Sequence, residues 1–556
     1  MKIKHCFLPI LIFFLSFKAF SQQECTYETS NYVFQKQKTV NVAEIKTDWN
    51  VKILNLENPR EENKAYSEFI KKTKEEVEKR FPRNKSKGNN INLNILESPD
   101  TPAVIKNFEG NFFENSVPND NNLAISNDGK LISAINTNLY FFDTENDTLL
   151  KNISLTAFSD TLNLYAQQYD PKLLYDPSSD KFVVVYLAGS HDTTSNIIVG
   201  FSQTNDPLGL WNLYSLPGNP VEDTSWSDFP AIALTNDELF ITVNLLKNNL
   251  SWQLAFKQSV IWQIDKNKGY NGEALQTKLW KNIKFDEQPM RNLNPIQGGN
   301  ELKGPDIYFL NTRNFAIQND SIFLLHISNS LTDTAATLTV NALISDKTYG
   351  MPPRAQQPNN QLLETNDARV LSGFIQNNKI QFVGNTVDTT SGYATFYHGI
   401  INNVSSSRTV KLTIFTDTME YGYPNLSYTG KSSSDNSAII SMNYSSSRVY
   451  PGFSCFYYSR NSDYSRKVNL KQGDCYINAL SGADRWGDYS GSQPKYNEPG
   501  KVWVAGTFGK LIPAGKLYNK RSGTWISELQ KTEKDIVVIP KYFDINARPN
   551  PFTDVM

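Results

Sequence analysis

From about Phe108 to residue 530 the chain alternates short apolar runs with polar turns of Asn, Asp, Gly, Ser and Pro. That texture predicts β-strands, and the 10–15-residue amphipathic stretches that βαβ units require are missing. Upstream, Glu61 to Phe81 has a different period. Tyr66, Phe69, Ile70 and Val77 fall near helical spacing with charge on the remaining face, and Pro82 follows, so one helix over 61–81 is expected. Its simplest role is packing on the main domain.

The strand-rich part repeats itself loosely. An Asp or Gly, often followed by an aromatic and a Pro, leads into a short apolar strand and then a polar turn. Asp120 to Ile125, Asp170 to Leu174 and Asp228 to Ala233 are the clearest copies, with later ones at Asp367, Gly422 and Asp488. Second strands follow at Phe182 to Leu187, Leu239 to Val243, Ile380 to Val383, Ala438 to Met442 and Lys501 to Ala505. The spacing of roughly 50–70 residues suits a blade of three or four strands. Asn294-Pro295-Ile296 fills a double gap between Asp228 and Asp367. The expected fold is therefore all-β, a β-propeller of about seven blades over 108–530, with a short N-terminal helical extension over 22–107. The competing architecture, a row of β-sandwiches, needs Pro- or Gly-rich linkers that this stretch lacks.

Composition narrows the partners. Acidic and basic residues nearly cancel, 56 against 55, with a formal charge of −1. No concentrated basic surface is available for phosphates, so nucleic acid is not expected as a partner. Lys2, Lys4 and His5 precede the apolar run Phe7 to Leu15, which closes on Ala19-Phe20-Ser21. This is the order of a secretory signal, expected over residues 1–21, and the run is too short to span a bilayer. No other stretch is apolar enough to be transmembrane. In an oxidising compartment Cys455 and Cys475 are a candidate disulfide across a hairpin-sized loop, or two unconnected thiols.

The final stretch, 531–556, contains Ala547-Arg548-Pro549-Asn550-Pro551-Phe552. It resembles the opening of the C-terminal sorting domain of type IX secretion cargo in Bacteroidetes, although only its start is present. The segments YDPKLLYDPSSDKFVVVY, SDFPAIALTNDELFITVN and RWGDYSGSQPKYNEPGKVWVAGTF look similar to secreted Bacteroidetes propeller proteins of unassigned function. The resemblance implies a fold, an encounter with the secretion machinery at the C-terminus, and a secreted or outer-membrane-surface address. It implies no reaction.

Aligned repeats would place Asp120, Asp170, Asp228, Asp367 and Asp488 around one mouth of a central channel. Two readings follow: the carboxylates share a hard cation such as Ca²⁺, or each caps its own turn. Turn capping is the simpler of the two. Trp226 and Trp486, each close to one of these aspartates, are the aromatic side chains expected to be displayed for a ligand, while most other tryptophans should pack between blades. Arg369 and Arg485, with Arg313 as a third candidate, are the cations available at the mouth. There is no Gly-x-Ser-x-Gly elbow, His-Glu-x-x-His or phosphate-cradling loop. The expected function is binding of an extracellular glycan or protein. A glycan-active hydrolase or lyase using the channel mouth is the alternative.

Overall fold

The computed structural model describes residues 25–47, 64–84, 101–112, 118–164, 166–250, 252–479, 483–511, 520–532 and 541–542. The secretory-signal stretch 1–21 and the Pro549–Phe552 stretch lie outside these residues.

Apolar alternation is realised as seven radial antiparallel blades, of which blades 4 and 5 are joined at Ser345 and Val410. Blade 1 is built from 122–125, 130–135, 138–143 and 148–154. Blade 2 uses 168–176, 181–188, 196–202 and 210–217. Blade 3 uses 225–234, 238–247, 256–265 and 275–285. Blade 4 comprises 294–295, 307–312, 319–327 and 338–349. Blade 5 comprises 370–376, 379–387, 394–402 and 409–414. Blade 6 spans 420–428, 438–446, 449–458 and 468–471. Blade 7 takes its inner strands from 491–494, 501–511 and 520–530, and its fourth from Ala103–Glu109 near the other end of the chain. That pairing closes the ring, so neither end of the propeller is left as an open edge.

The N-terminal segment is part of the same sheets. Cys25–Phe34 runs antiparallel along the outside of blade 3, and Lys38–Asn41 does the same on blade 2. The helix forms over Lys64–Arg80 and buries Ile70 and Val77 against Met351 and Val387. Phe69, on the apolar stripe by spacing, remains exposed and meets Phe315 edge-on at 5.8 Å. A small extra sheet, made of 355–356, 362–364 and 484–485, lies over the mouth ends of blades 5 and 6.

The core consists of apolar layers between neighbouring blades. Trp262 lies between blades 2 and 3, Trp211 between 1 and 2, Trp280 between 3 and 4, and Trp503 between 7 and 1. Each is essentially fully buried. Burying a large apolar side chain contributes about 1.5–3 kcal/mol, which explains why these rings serve packing rather than display.

The candidate disulfide does not form: Cys455 and Cys475 are free thiols. The Cys455 side chain enters the apolar layer between blades 6 and 7, beside Ile439, Phe453 and Val502. Cys475 lies beyond the last strand of blade 6, where its backbone N–H bonds to Gly509 O at 3.4 Å. Burial pushes both thiols upward in pKa, so neither is a ready thiolate.

Candidate functional site at the channel mouth

Innermost strands enter the blades through one recurring backbone device. Asp120, Asp170, Phe229, Asn292, Asn366 and Tyr423 all adopt left-handed φ values between 52° and 55° or close to them, at 55°, 54°, 53°, 53°, 55° and 54°. Pro171, Pro230 and Pro424 follow three of them. The ladder then slips, between Tyr169 and Lys172, Asp228 and Ala231, Val370 and Ser372, and Gly422 and Asn425. A bulge of this kind bends the strand and re-aims its side chains.

A left-handed aromatic residue is strained and persists only where its surroundings fix it. Asparagines on or just after the second strand of the preceding blade supply part of that fixing. Asn136 Oδ1 accepts the Asp170 N–H at 2.6 Å, Asn244 Oδ1 the Asn292 N–H at 3.1 Å, and Asn385 Oδ1 the Tyr423 N–H at 2.8 Å. These asparagines were missed by sequence reasoning. Their signal was a recurring Asn near the end of a second strand, visible only once the blades are superposed in register.

The result is a polar network across the mouth. Asp120 Oδ1 accepts the Asp488 N–H at 2.7 Å, and its Oδ2 accepts Asn136 Nδ2 at 2.7 Å. Asp488 in turn accepts Asn366 Nδ2 at 3.0 Å and a short bond from Arg485. Arg369 grips Asp367 through Nε at 2.8 Å and Nη2 at 2.7 Å, and Asn314 Nδ2 reaches the same carboxylate at 2.6 Å. Phe229 lies under the Arg369 guanidinium at 4.1 Å and meets Tyr489 edge-on at 6.2 Å. Lys172 Nζ stands over the Tyr489 ring, 2.8 Å from its centroid.

The crowding shifts the acidities of these groups. Asp120 is pushed up to about 8 by burial and then by Asp488. Asp170 is pushed well above the usual carboxylate range by burial, with Asp120, Asp228 and Asp488 adding to it. Asp228 rises to about 6 because burial outweighs the guanidinium groups of Arg369, Arg291 and Arg485. Lys172 is lowered to about 7 by burial, against the pull of Asp170, Asp120 and Asp488. Asp367 goes the other way: burial is overcome by Arg369, which keeps its carboxyl low. Low dielectric and crowded like charges produce these shifts.

The five sequence-derived aspartates thus fall into one charged assembly, with Asp367 held apart on Arg369. Two of the five carboxylates are already engaged by donors from the chain itself. Both Asp120 oxygens face N–H donors, both Asp367 oxygens are taken by Arg369 and Asn314, and Arg369 and Arg485 supply neutralising charge. Among the described residues no three His, Cys, Asp or Glu side chains are grouped to hold a metal.

Arg369 pairs with Asp367 and Arg485 with Asp488, and Arg485 is 38% exposed. Arg313 does not join them; it stacks on Phe323 at 4.6 Å. Arg291 takes that place, its guanidinium near Phe256 at 4.4 Å and Phe315 at 4.8 Å. Trp226 is half-buried against the layer between blades 2 and 3. Trp486 is not displayed at all: it is fully buried with Tyr423, Leu363 and Ile477. The extra sheet covers it, and Gly422 leaves the room for its ring.

Beneath the mouth runs an axial cavity of about 90 Å³, bordered by Asn122, Lys172, Asn425, Ser490 and Gln493 among others.

No protein-family model and no curated relative matches the sequence. Similar solved structures include one in the crystal structure of the mitotic checkpoint complex, with TM-score 0.37 and 9% identity over 78% of this chain and 93% of that one. The phage phi92 endosialidase gives 0.33 and 10% over 78% and 69%. The WD40 domain of SCAP from fission yeast gives 0.32 and 10% over 74% and 96%. The ring of sheets and its closure define the class: this chain is a β-propeller.

Proposed function

We propose that the chain is a secreted or surface-displayed propeller that binds an extracellular ligand, a glycan or a protein segment, at the channel mouth. One observation carries this reading: carboxylates from several blades converge with Lys172, Arg369 and Arg485 at one axial opening. Asp228, Phe229, Lys172 and Arg485 are half-buried there rather than enclosed. Mixed charges beside an aromatic edge suit a polar ligand that both donates and accepts hydrogen bonds. The secreted address rests on Lys2 to Ser21, and the type IX route and Bacteroidetes origin on Pro549 to Phe552 and the quoted segments. No helix among the described residues is long and apolar enough to cross a membrane.

The test is a panel of polysaccharides and surface proteins measured by calorimetry, with product analysis of each mixture. Saturable binding that Arg485→Ala weakens about tenfold or more, without product, is the expected result. Binding that Arg485→Ala leaves untouched moves the site elsewhere. The hydrolase or lyase reading has a specific observation in its favour. Asp120, shifted up to about 8, and Asp228, near 6, differ in protonation at neutral pH, as an acid and a base must. Product formation in the same panel selects that reading.

A further inference from the structure

Lys172 is the one mouth cation with an unusual setting. Arg369 is clamped to Asp367, and Arg485 to Asp488. Among the described residues no hydrogen bond or ion pair reaches Lys172 Nζ; its neighbours are the rings of Tyr489 and Phe229, the latter 5.8 Å away. The side chain borders the axial cavity, at its junction with the mouth. Tyr489 is itself fixed, its hydroxyl donating to Pro171 O at 3.2 Å, so the ring is a firm platform for the amine. The carboxyls that act on this amine, Asp170, Asp120 and Asp488, come from blade 2, the entrance to blade 1 and the segment before blade 7. The cations that act there are Arg369 and, on Asp120, Arg485.

We propose that Lys172 is a nucleophilic amine that captures a small hydroxyaldehyde as an imine at the head of the axial cavity. This rests on the reading of the mouth as a ligand site and names a chemistry within it. The amine nitrogen attacks the carbonyl carbon, and the C=O π pair moves to oxygen, which takes a proton from a neighbouring carboxylic acid. The nitrogen returns a proton to that carboxylate. The carbinolamine hydroxyl is then protonated by the same acid and leaves as water while the C=N bond forms, and the iminium nitrogen returns its proton to the carboxylate. Overall one amine and one aldehyde give one imine and one water, with no oxidant or reductant. Asp170 and Asp120 suit the proton shuttle, because burial and mutual repulsion keep protons on them in the range where the desolvated amine has lost its own. A cavity of about 90 Å³ limits the guest. A cavity of about 150 Å³ takes a benzene, so this smaller one suits a short chain rather than a sugar ring. Asn122, Asn425, Ser490 and Gln493 on its walls favour a guest with hydroxyl groups.

The experiment incubates the folded protein with glycolaldehyde and cyanoborohydride near neutral pH and maps the reduced hydroxyethyl adduct by peptide mass spectrometry. Lys172 should be modified about tenfold faster than exposed lysines such as Lys36, because burial leaves much of its amine neutral where it meets the cavity. Asp170→Asn should slow trapping at Lys172 while leaving Lys36 unchanged, a contrast that a merely structural role does not produce. Labelling of Lys172 at or below the rate of Lys36 in the wild-type protein overturns the proposal, whatever the variants do. Polysaccharide binding that persists alongside an unreactive Lys172 removes the imine chemistry and leaves the binding site standing.

Discussion

Asp228 and Asp120 carry the clearest consequence at the scale of single residues. Both hold protons in the folded chain that the unfolded chain, with its ordinary carboxyl value of 3.8, has already released. Stability from these groups is therefore full below about pH 4 and is lost as pH rises, through about 6 for Asp228 and about 8 for Asp120. Lys172 has the opposite sign. The folded chain gives up its proton near pH 7, the unfolded chain only near 10.5, so stability returns between those values. Urea midpoints taken from pH 4 to 10 should dip near neutrality, and Asp228→Asn should flatten the fall between about 4 and 6. An unchanged slope in that variant removes Asp228 from the account. The aspartates themselves were legible in the sequence because each begins a repeat. Arg291 was not, since it belongs to no repeat and reaches the mouth only through the loop between blades 3 and 4.

Elements show where spacing arguments stop. The helix was legible from its period, which puts Lys74 on the same face as Ile70 and Val77 but says nothing of what a buried ammonium meets there. In the structure Lys74 is 1% exposed and donates to Thr365 Oγ1 at 2.7 Å, Asn366 O at 2.9 Å and Pro352 O at 3.0 Å. Burial lowers it to about 8 despite Glu364. Its acceptors belong to the loop between blades 4 and 5, some 290 positions away, which no local pattern reveals. Asn366 in turn holds Asp488, so the helix supports the mouth. Lys74→Ala strands those acceptors and should cost about 1–3 kcal/mol. The expected readout is faster limited proteolysis near residues 64–84 with the blades still folded. Phe108→Ala, on the closing strand of blade 7, should cost about 3–5 kcal/mol in urea unfolding, because it opens the layer shared with Phe142 and Trp503. A loss below 1 kcal/mol would show that the closing strand contributes little.

At the scale of the molecule, reductant and chelator are the informative additives. With Cys455 and Cys475 unpaired, dithiothreitol should leave the melting temperature unchanged. With Arg369 paired to Asp367 and Arg485 to Asp488 at the mouth, EDTA should leave it unchanged as well. A drop of several degrees in either case contradicts the corresponding assignment. The sequence by itself determined the strand period, the recurring entrance to each blade and hence the ring, because two-residue alternation and turn chemistry are local properties. Tertiary structure alone decided which charges meet, that Trp486 is covered, that the N-terminal strands join blades 2 and 3, and that Lys172 is left facing the cavity. Those outcomes depend on contacts between residues hundreds of positions apart, where closing the ring, not the nearby sequence, fixes the neighbours.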